Sequence, residues 1–299
     1  MQYFCKNLEN PMKPIASIIT LLLLGMGLTC HAGEKHPPEY PRAEIKVGYN
    51  YHKIFLRGSD GVIERDIPFV LLANRSESKF YCPSTEYKDS LNSTPSGRAL
   101  ADRMFKAAMT KYIDTKDRAV MDGVVYKTQL YVFKSRTSGE FTVYDYVGMT
   151  GNFYYREPVE ELAWEISDST KTILGYEAVK AEADYHGRHW TVWFAPEIPV
   201  QEGPWKLHGL PGLILEASEE SGQHHFSAVG IEMSDKEIVP IYNKEKYEKT
   251  TRIDMLRSER HSRKNGIAMM NAELGLNVAP DRTETVQSGK YDFLETDYH

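Results

Sequence analysis

Residues Trp193–Glu216 read WFAPEIPVQEGPWKLHGLPGLILE, and this stretch decides the fold. Three prolines in its first half stiffen the chain and predict a crossing between two strands. The sequence Leu-Pro-Gly-Leu at Leu210–Leu213 predicts a type II turn, with Gly212 at the position that requires positive φ. The apolar run Leu213–Leu215 then predicts a strand that is buried on both faces.

Short apolar segments with glycine-containing turns lie on both sides of this crossing and predict antiparallel hairpins. Segments Thr172–Glu182 and Trp190–Phe194 bracket one turn, and Leu213–Ala217 and His225–Ile231 bracket another. The remaining predicted strands are Ile45–Leu56, Ile67–Leu72, Val124–Phe133 and Phe141–Val147. Many short strands joined in this way predict a meandering antiparallel sheet.

Two helices are predicted to pack with the sheet. Thr94, followed by proline, marks the start of a helix that ends near Tyr112. The second spans about Lys244–Lys264 and ends at Asn265, which is followed by glycine. Its basic residues fit either a docking surface or a solvated face with intrahelical ion pairs, and we favour the second. The expected fold class is α+β, predominantly antiparallel β, with a curved sheet that approaches a half-barrel.

The N-terminal residues predict an export signal. Lys6 and Lys13 precede the apolar run Ile15–Leu28, which is shorter than the roughly 20 residues that a membrane span needs. Small residues at Cys30 and Ala32 fit a cleavage site. The alternative is a lipoprotein with Cys30 as the lipidated residue, which the residues before it fit poorly. The predicted organisation is a signal peptide at 1–32, an extended leader at 33–43 and a single β-rich domain at 44–299.

Composition excludes several classes of function. The chain has 36 basic and 42 acidic residues, a net charge of −6, which disfavours generic binding to nucleic acid. Cleavage after Ala32 would leave Cys82 without a partner for an internal disulfide. The sequence contains no GxSxG, HExxH, CxxC or phosphate-binding loop. We therefore predict no catalytic residue and no cofactor.

The crossing also resembles a known family. Gly209, Leu210, Pro211, Gly212, Leu213 and Ile214 form the hexapeptide after which the GLPGLI family is named. Trp164, the Trp193–Phe194 pair and the tail Lys290–Glu295 fit the same pattern. The resemblance implies an exported protein of the Bacteroidota with no settled activity and no catalytic residues to transfer. A looser analogy at the level of fold is with the lipoprotein-carrier half-barrels of the Gram-negative periplasm.

Unevenly distributed histidines supply the candidate metal ligands. His186 and His189 flank one predicted hairpin turn, and His224 and His225 follow another. A simple meander would place both turns at one end of the sheet, where neutral imidazoles could converge on Zn²⁺ or Cu²⁺. The spacings match no established metal motif, and histidines in turns are usually exposed. No metal ligand is therefore assigned, and the four residues are kept as candidates.

The predicted function is a non-enzymatic binding module of the cell envelope, in the periplasm or outside the cell. Five tyrosines crowd one region, and a curved sheet lined by aromatic residues could hold an apolar ligand, a peptide or an envelope protein. Strand propensity also accounts for these tyrosines, which are Tyr131, Tyr144, Tyr146, Tyr154 and Tyr155. The alternative is a metal-dependent or other hydrolase at the histidine rim. Converging titratable side chains would favour the hydrolase, and an enclosed apolar groove would favour binding.

Overall fold

A computed structural model describes residues 39–57, 61–148, 150–275 and 293–298. The predicted signal peptide and most of the leader lie outside the described residues. The strands are β1 (Ile45–Arg57), β2 (Gly61–Ala73), β3 (Glu77–Tyr81), β4 (Tyr131–Ser135), β5 (Glu140–Val147), β6 (Gly151–Pro158), β7 (Glu165–Ile173), β8 (Tyr176–Tyr185), β9 (Arg188–Ala195), β10 (Leu213–Glu219), β11 (His224–Met233) and β12 (Glu248–Lys249). The helices are α1 (Pro83–Asn92), α2 (Pro95–Thr115) and α3 (Arg252–Leu274).

The twelve strands form one open sheet in the order β12-β6-β5-β4-β3-β2-β1-β11-β10-β9-β8-β7. Each of the halves β1–β6 and β7–β11 is a meander, and β1 joins them by pairing antiparallel with β11. All pairings are antiparallel except that of β12 with β6. The predicted fold class is confirmed. The described helices include none that is long and apolar enough to span a membrane.

The two faces of the sheet carry separate hydrophobic cores. The inner face bears the larger core, which includes Tyr49, Phe69, Trp190 and Phe226. The crossing segment, residues 196–212, lies on this face, because Trp205, Leu207 and Leu210 belong to the same core. The outer face bears a smaller core, composed of Ala43, Val70, Leu72, Tyr81, Tyr131, Tyr144, Ile238 and Ile241. The chain therefore fills much of its own inner face.

The predicted type II turn at Leu210–Leu213 is wrong. Positive φ occurs at Gly209, where φ is 92°, and not at Gly212. Gly212 is required for a different reason, because a Cβ at this position would lie 2.2 Å from the carbonyl oxygen of Ala195. The buried strand that follows is confirmed, since Leu213–Leu215 are fully buried.

Two predicted strands have different bounds in the structure. The segment Thr172–Glu182 is interrupted by a turn, because Leu174 and Gly175 have φ of 53° and 86° and separate β7 from β8. Residues 124–130 are not a strand, and β4 begins at Tyr131. The hairpins around 186–187 and 220–223 are confirmed. Turn residues therefore predicted the positions of the hairpins correctly, whereas the apolar runs did not predict the ends of these strands.

One predicted helix is confirmed and the other is displaced. The hydroxyl of Thr94 accepts a hydrogen bond from the Gly97 amide at 3.1 Å and caps α2. The helix predicted at Lys244–Lys264 instead begins at Arg252, where Thr251 supplies the cap, and runs past Asn265 to Leu274. A glycine inside a helix costs only about 1 kcal/mol, so the Asn-Gly pair does not end it.

Candidate functional site

The four candidate histidines do not form one site. His224 is fully buried on the inner face, and its Nδ1 lies 2.6 Å from the hydroxyl of Tyr51. His225 is the next residue on β11 and therefore points to the outer face. His189 is exposed and pairs with Asp184 at 2.8 Å. The alternation of side chains along strands thus separates residues that the sequence places side by side.

His186 joins a cluster of carboxylates at the β8–β9 turn. Its Nδ1 lies 3.4 Å from Asp297 Oδ2, and its Nε2 lies 3.7 Å from Glu157 Oε1. Within the described ranges, His186, Glu295 and Asp297 are the group whose ligand atoms approach closely enough to hold an ion. The cluster draws these residues from β6, the β8–β9 turn and the tail 293–298.

Two basic side chains already occupy this cluster. The side chain of Lys206 is fully buried, and its Nζ lies 2.5 Å from both Glu157 Oε1 and Glu295 Oε1. Arg252 donates to Glu295 and to Asp297, each at 2.7 Å. The carboxylates are therefore compensated by cations of the chain itself. The Lys206 cluster is defined here as His186, Lys206, Arg252 and the carboxylates of Glu157, Glu295 and Asp297. We interpret it as a structural joint, that is, a set of ion pairs that connects β6, the crossing segment, α3 and the tail.

A cavity of about 330 Å³ lies between the inner face and α3. Strands β1, β2, β5 and β6 supply one wall, and α3 and the tail supply the other. Its apolar lining includes Ile67, Phe69, Val143, Trp205, Leu256 and Phe293. The volume falls at the lower end of the range for ligand pockets, about 300–1,000 Å³.

Four charged side chains on the wall of this cavity form what we call the cavity mouth: Lys53, Asp145, Glu259 and Arg263. Burial lowers the pKa of Lys53 to about 8. Burial, with a contribution from Glu259, raises the pKa of Asp145 to about 7. Arg263 pairs with Glu259 and lies 4.3 Å from the ring centre of Phe293. Its side chain is 36% exposed, so the cavity reaches solvent at this end.

The aromatic surface predicted from the tyrosines is divided between the two faces. Tyr131 and Tyr144 belong to the outer core, and Tyr154 packs against it. Tyr155 lines the cavity, whereas Tyr146, in the phase of Tyr144, is exposed at its rim. The five tyrosines therefore do not line one groove, because neighbouring residues in a strand face opposite sides.

Sequence reasoning missed the cavity mouth, although a signal was present. Lys53 continues the alternating series Tyr49, Tyr51 on the inner face of β1, and Asp145 lies between Val143 and Val147 on β5. A charged residue at a position where the alternation predicts a buried side chain destabilises the fold unless that residue has a function or a partner. Such an exception to the alternation would have identified both residues.

A family described as "Protein of unknown function (Porph_ging)" matches residues 185–216. The match includes His186, the crossing segment and the hexapeptide Gly209–Ile214. It covers a short part of the 299-residue chain, so the resemblance to the GLPGLI family stays a prediction. Curated proteins give no significant match.

Solved structures with some similarity include PNGF-II in two crystal forms. The P21 form has 12% identity and a TM-score of 0.44, and the C2 form has 13% and 0.42. Each match covers 73% of this chain and 33% of PNGF-II, so the chain spans about a third of that protein's length. A Vibrio parahaemolyticus domain described as that of an outer membrane lipoprotein-sorting protein has 6% identity and a TM-score of 0.20, over 63% of this chain and 85% of the domain. TM-scores and identities this low do not indicate a function. The function is therefore inferred from the geometry of this chain.

Proposed function

We propose that this protein is an exported binding protein that holds an apolar or amphipathic small molecule between the sheet and α3. The observation that supports the proposal is the cavity of about 330 Å³, whose walls combine apolar side chains with the charged groups of the mouth. Residues distant in sequence build these walls, from Ile67 on β2 to Phe293 in the tail. The cavity is therefore built by the tertiary fold and not by one local segment.

The energy available from this cavity fits a modest affinity. Burial of one methylene group contributes about 0.8 kcal/mol, so a ten-carbon chain would gain roughly 8 kcal/mol before the costs of association. Those costs are about 4 kcal/mol or more. The alkyl chain alone therefore corresponds to a dissociation constant of about 1 mM or weaker.

The shape of the inner face favours a small molecule over a peptide. Trp205, Leu207 and Leu210 of the crossing segment occupy the surface that an added protein chain would need. Glu202 fastens the same segment to the sheet, since its carboxylate accepts hydrogen bonds from Lys134 at 3.0 Å and Arg136 at 2.8 Å. The cavity of about 330 Å³ suits one short chain or ring.

Calorimetric titration with 1-decanol tests this function, because the probe is apolar and uncharged. We expect one-to-one binding to the full mature chain. Leu130→Trp, which adds bulk at the cavity wall, should abolish binding. Val229→Trp is the matched control, since Val229 is 63% exposed on β11 and should tolerate the change. Absence of binding to the unaltered protein would contradict the proposed function.

The exported location is supported by the N-terminal sequence. The basic residues, the apolar run and the small residues before Gly33 together fit a cleaved signal peptide. Mass spectrometry of the protein from its native envelope should find an N-terminus at Gly33 without lipid. A diacylated N-terminus at Cys30 would instead establish the lipoprotein alternative.

A further inference from the structure

We infer that the cavity mouth recognises the carboxylate headgroup of an amphipathic ligand through Lys53 and Arg263. This inference rests on the proposed function and adds the chemical class of the ligand. The alkyl or aryl part would occupy the apolar cavity. The carboxylate would lie between β1, which carries Lys53, and α3, which carries Arg263.

The two basic side chains approach the cavity from opposite walls. Lys53 follows Tyr51 on the inner face of β1, and Arg263 is one helical turn beyond Glu259 on α3. Long basic side chains can lay their methylene stems on apolar surface while the charged ends face a polar group. Arg263 does so over the ring of Phe293. A ligand that enters the cavity would thus meet both charged ends at its polar terminus.

Arg263 can bind a second carboxylate while it remains paired with Glu259. A guanidinium group has five N–H donors, and one carboxylate acceptor uses at most two of them in a bidentate pair. The ion pair with Glu259 also fixes the orientation of the guanidinium. The arginine is therefore held in place for a ligand rather than fully consumed by its neighbour.

The other charged groups that line the cavity are compensated by ion pairs. Glu295 is compensated by Lys206 and Arg252 within the Lys206 cluster. Lys127 pairs with Asp122 at 3.5 Å. The preference for a particular headgroup charge therefore depends on the four residues of the cavity mouth.

Within the mouth, burial and the neighbouring Glu259 oppose the negative charge of Asp145. The raised pKa of Asp145, about 7, agrees with a carboxyl group that is largely desolvated beside Glu259. In its protonated form Asp145 donates a hydrogen bond, which a ligand carboxylate can accept. A cationic headgroup would gain Glu259 but would face both Lys53 and Arg263. The mouth is therefore better suited to an anion.

Three ten-carbon probes of different charge test this inference by calorimetry: decanoate, 1-decanol and decyltrimethylammonium. We expect decanoate to bind at least about tenfold more tightly than either of the others, because a hydrogen bond to a charged group outweighs a neutral one. Lys53→Met should remove most of this preference. Arg263→Gln should act in the same direction.

Matched controls come from the same two elements. Lys46→Met changes a lysine on β1 that pairs with Glu232 on the surface, and Arg260→Gln changes an exposed arginine on α3. Both should keep the preference for decanoate. The comparison of the three probes on the unaltered protein requires no variant, so a variant that fails to fold does not decide the result.

The outcomes separate the inference from the function on which it rests. Equal affinity for all three probes would overturn headgroup recognition and leave the binding function in place. Tightest binding of decyltrimethylammonium would overturn it in favour of an acidic site. A failure of all three probes to bind would overturn the proposed function together with the inference.

Discussion

The Lys206 cluster and the cavity mouth are both groups of charges on the inner face of one sheet, yet they differ in how those charges are compensated. In the cluster, Lys206 lies 2.5 Å from two carboxylates and its side chain is fully buried. At the mouth, Lys53 and Asp145 have pKa values displaced toward neutrality, to about 8 and about 7. The carboxylates of the cluster are paired with internal cations, whereas at the mouth burial disfavours the charged forms of Lys53 and Asp145.

This difference indicates which of the two groups of charges would interact more favourably with a bound ligand. A carboxylate that already accepts hydrogen bonds from Lys206 and Arg252 gains little from another cation. A bound carboxylate at the mouth would favour the charged form of Lys53, which burial disfavours. Close packing of ionisable groups is therefore a weak sign of function, and displaced pKa values beside a cavity are a stronger one.

The largest effect is expected at the Lys206 cluster. Lys206→Met would leave the buried carboxylates of Glu157 and Glu295 without their shared cation, so it should destabilise the fold by about 3–5 kcal/mol. Urea unfolding monitored by tryptophan fluorescence would measure this change. Lys180→Met is the control, because Lys180 forms a partly exposed pair with Glu182 worth about 1 kcal/mol or less. Equal losses in the two variants would show that the cluster is not a structural joint.

A smaller effect is expected in the crossing segment. Gly212→Ala would force a Cβ against the carbonyl oxygen of Ala195 and should cost about 1–3 kcal/mol. Gly123→Ala is the control, because a Cβ at Gly123 would have no neighbour within 4 Å. Thermal unfolding of both variants would test the contact. An unchanged melting temperature for Gly212→Ala would contradict the close approach of the two chain segments.

The substitution Asp145→Asn should change how the free energy of unfolding depends on pH. The pKa of Asp145 is raised from 3.8 to about 7, so the folded state binds this proton more tightly than the unfolded state does. The stability that this group contributes is present below about pH 4 and is lost as the pH rises through about 7. Asparagine remains neutral, so the variant should match the unaltered protein near pH 4.

At about pH 8 the Asp145→Asn variant should be more stable by about 1–2 kcal/mol, after allowance for solvent screening. Denaturant unfolding at several pH values would measure the difference. Asp168→Asn, at an exposed position of β7, serves as the control and should show little pH dependence. If the free energies of unfolding of Asp145→Asn and of the unaltered protein differed by the same amount at every pH, the carboxyl group at the mouth would not be desolvated.

The smallest effect is expected at the dispersed histidines. His189→Ala should change the free energy of unfolding by less than about 0.5 kcal/mol, because the side chain is exposed. Titration of the metal-free protein with Zn²⁺ and Cu²⁺ should show only weak or non-stoichiometric binding. Micromolar one-to-one binding that is lost in a His186→Ala, His224→Ala double variant would reverse our interpretation of these residues.

The sequence revealed features that depend on neighbouring residues. Glycine-containing turns located the hairpins, and Thr94 located the start of α2. The start of α3 was equally accessible, because Thr251 precedes Asp254 at the spacing of an N-terminal cap. The Asn-Gly pair at Asn265 predicted the end of the same helix too early. The sequence therefore contained more local information than the predicted boundaries used.

Features that depend on distant residues could not be read in the same way. The role of Gly212 depends on Ala195, with which it makes contact only after the crossing segment has folded back. The cavity mouth likewise depends on α3 lying against β1 and β5. Candidate sites built from side chains adjacent in sequence, such as His224 and His225, were separated by the alternation of the strand.

The pairing of β1 with β11 has a consequence for the rate of folding. Lys46 and Glu232, which bond across these strands, are 186 residues apart in the chain. Contacts of such separation require closure of a long loop before they contribute any free energy, and proteins dominated by them fold in milliseconds to seconds. Until β11 returns, one edge of β1 has no partner and the apolar inner face is uncovered. We therefore expect slow refolding that competes with aggregation at high protein concentration.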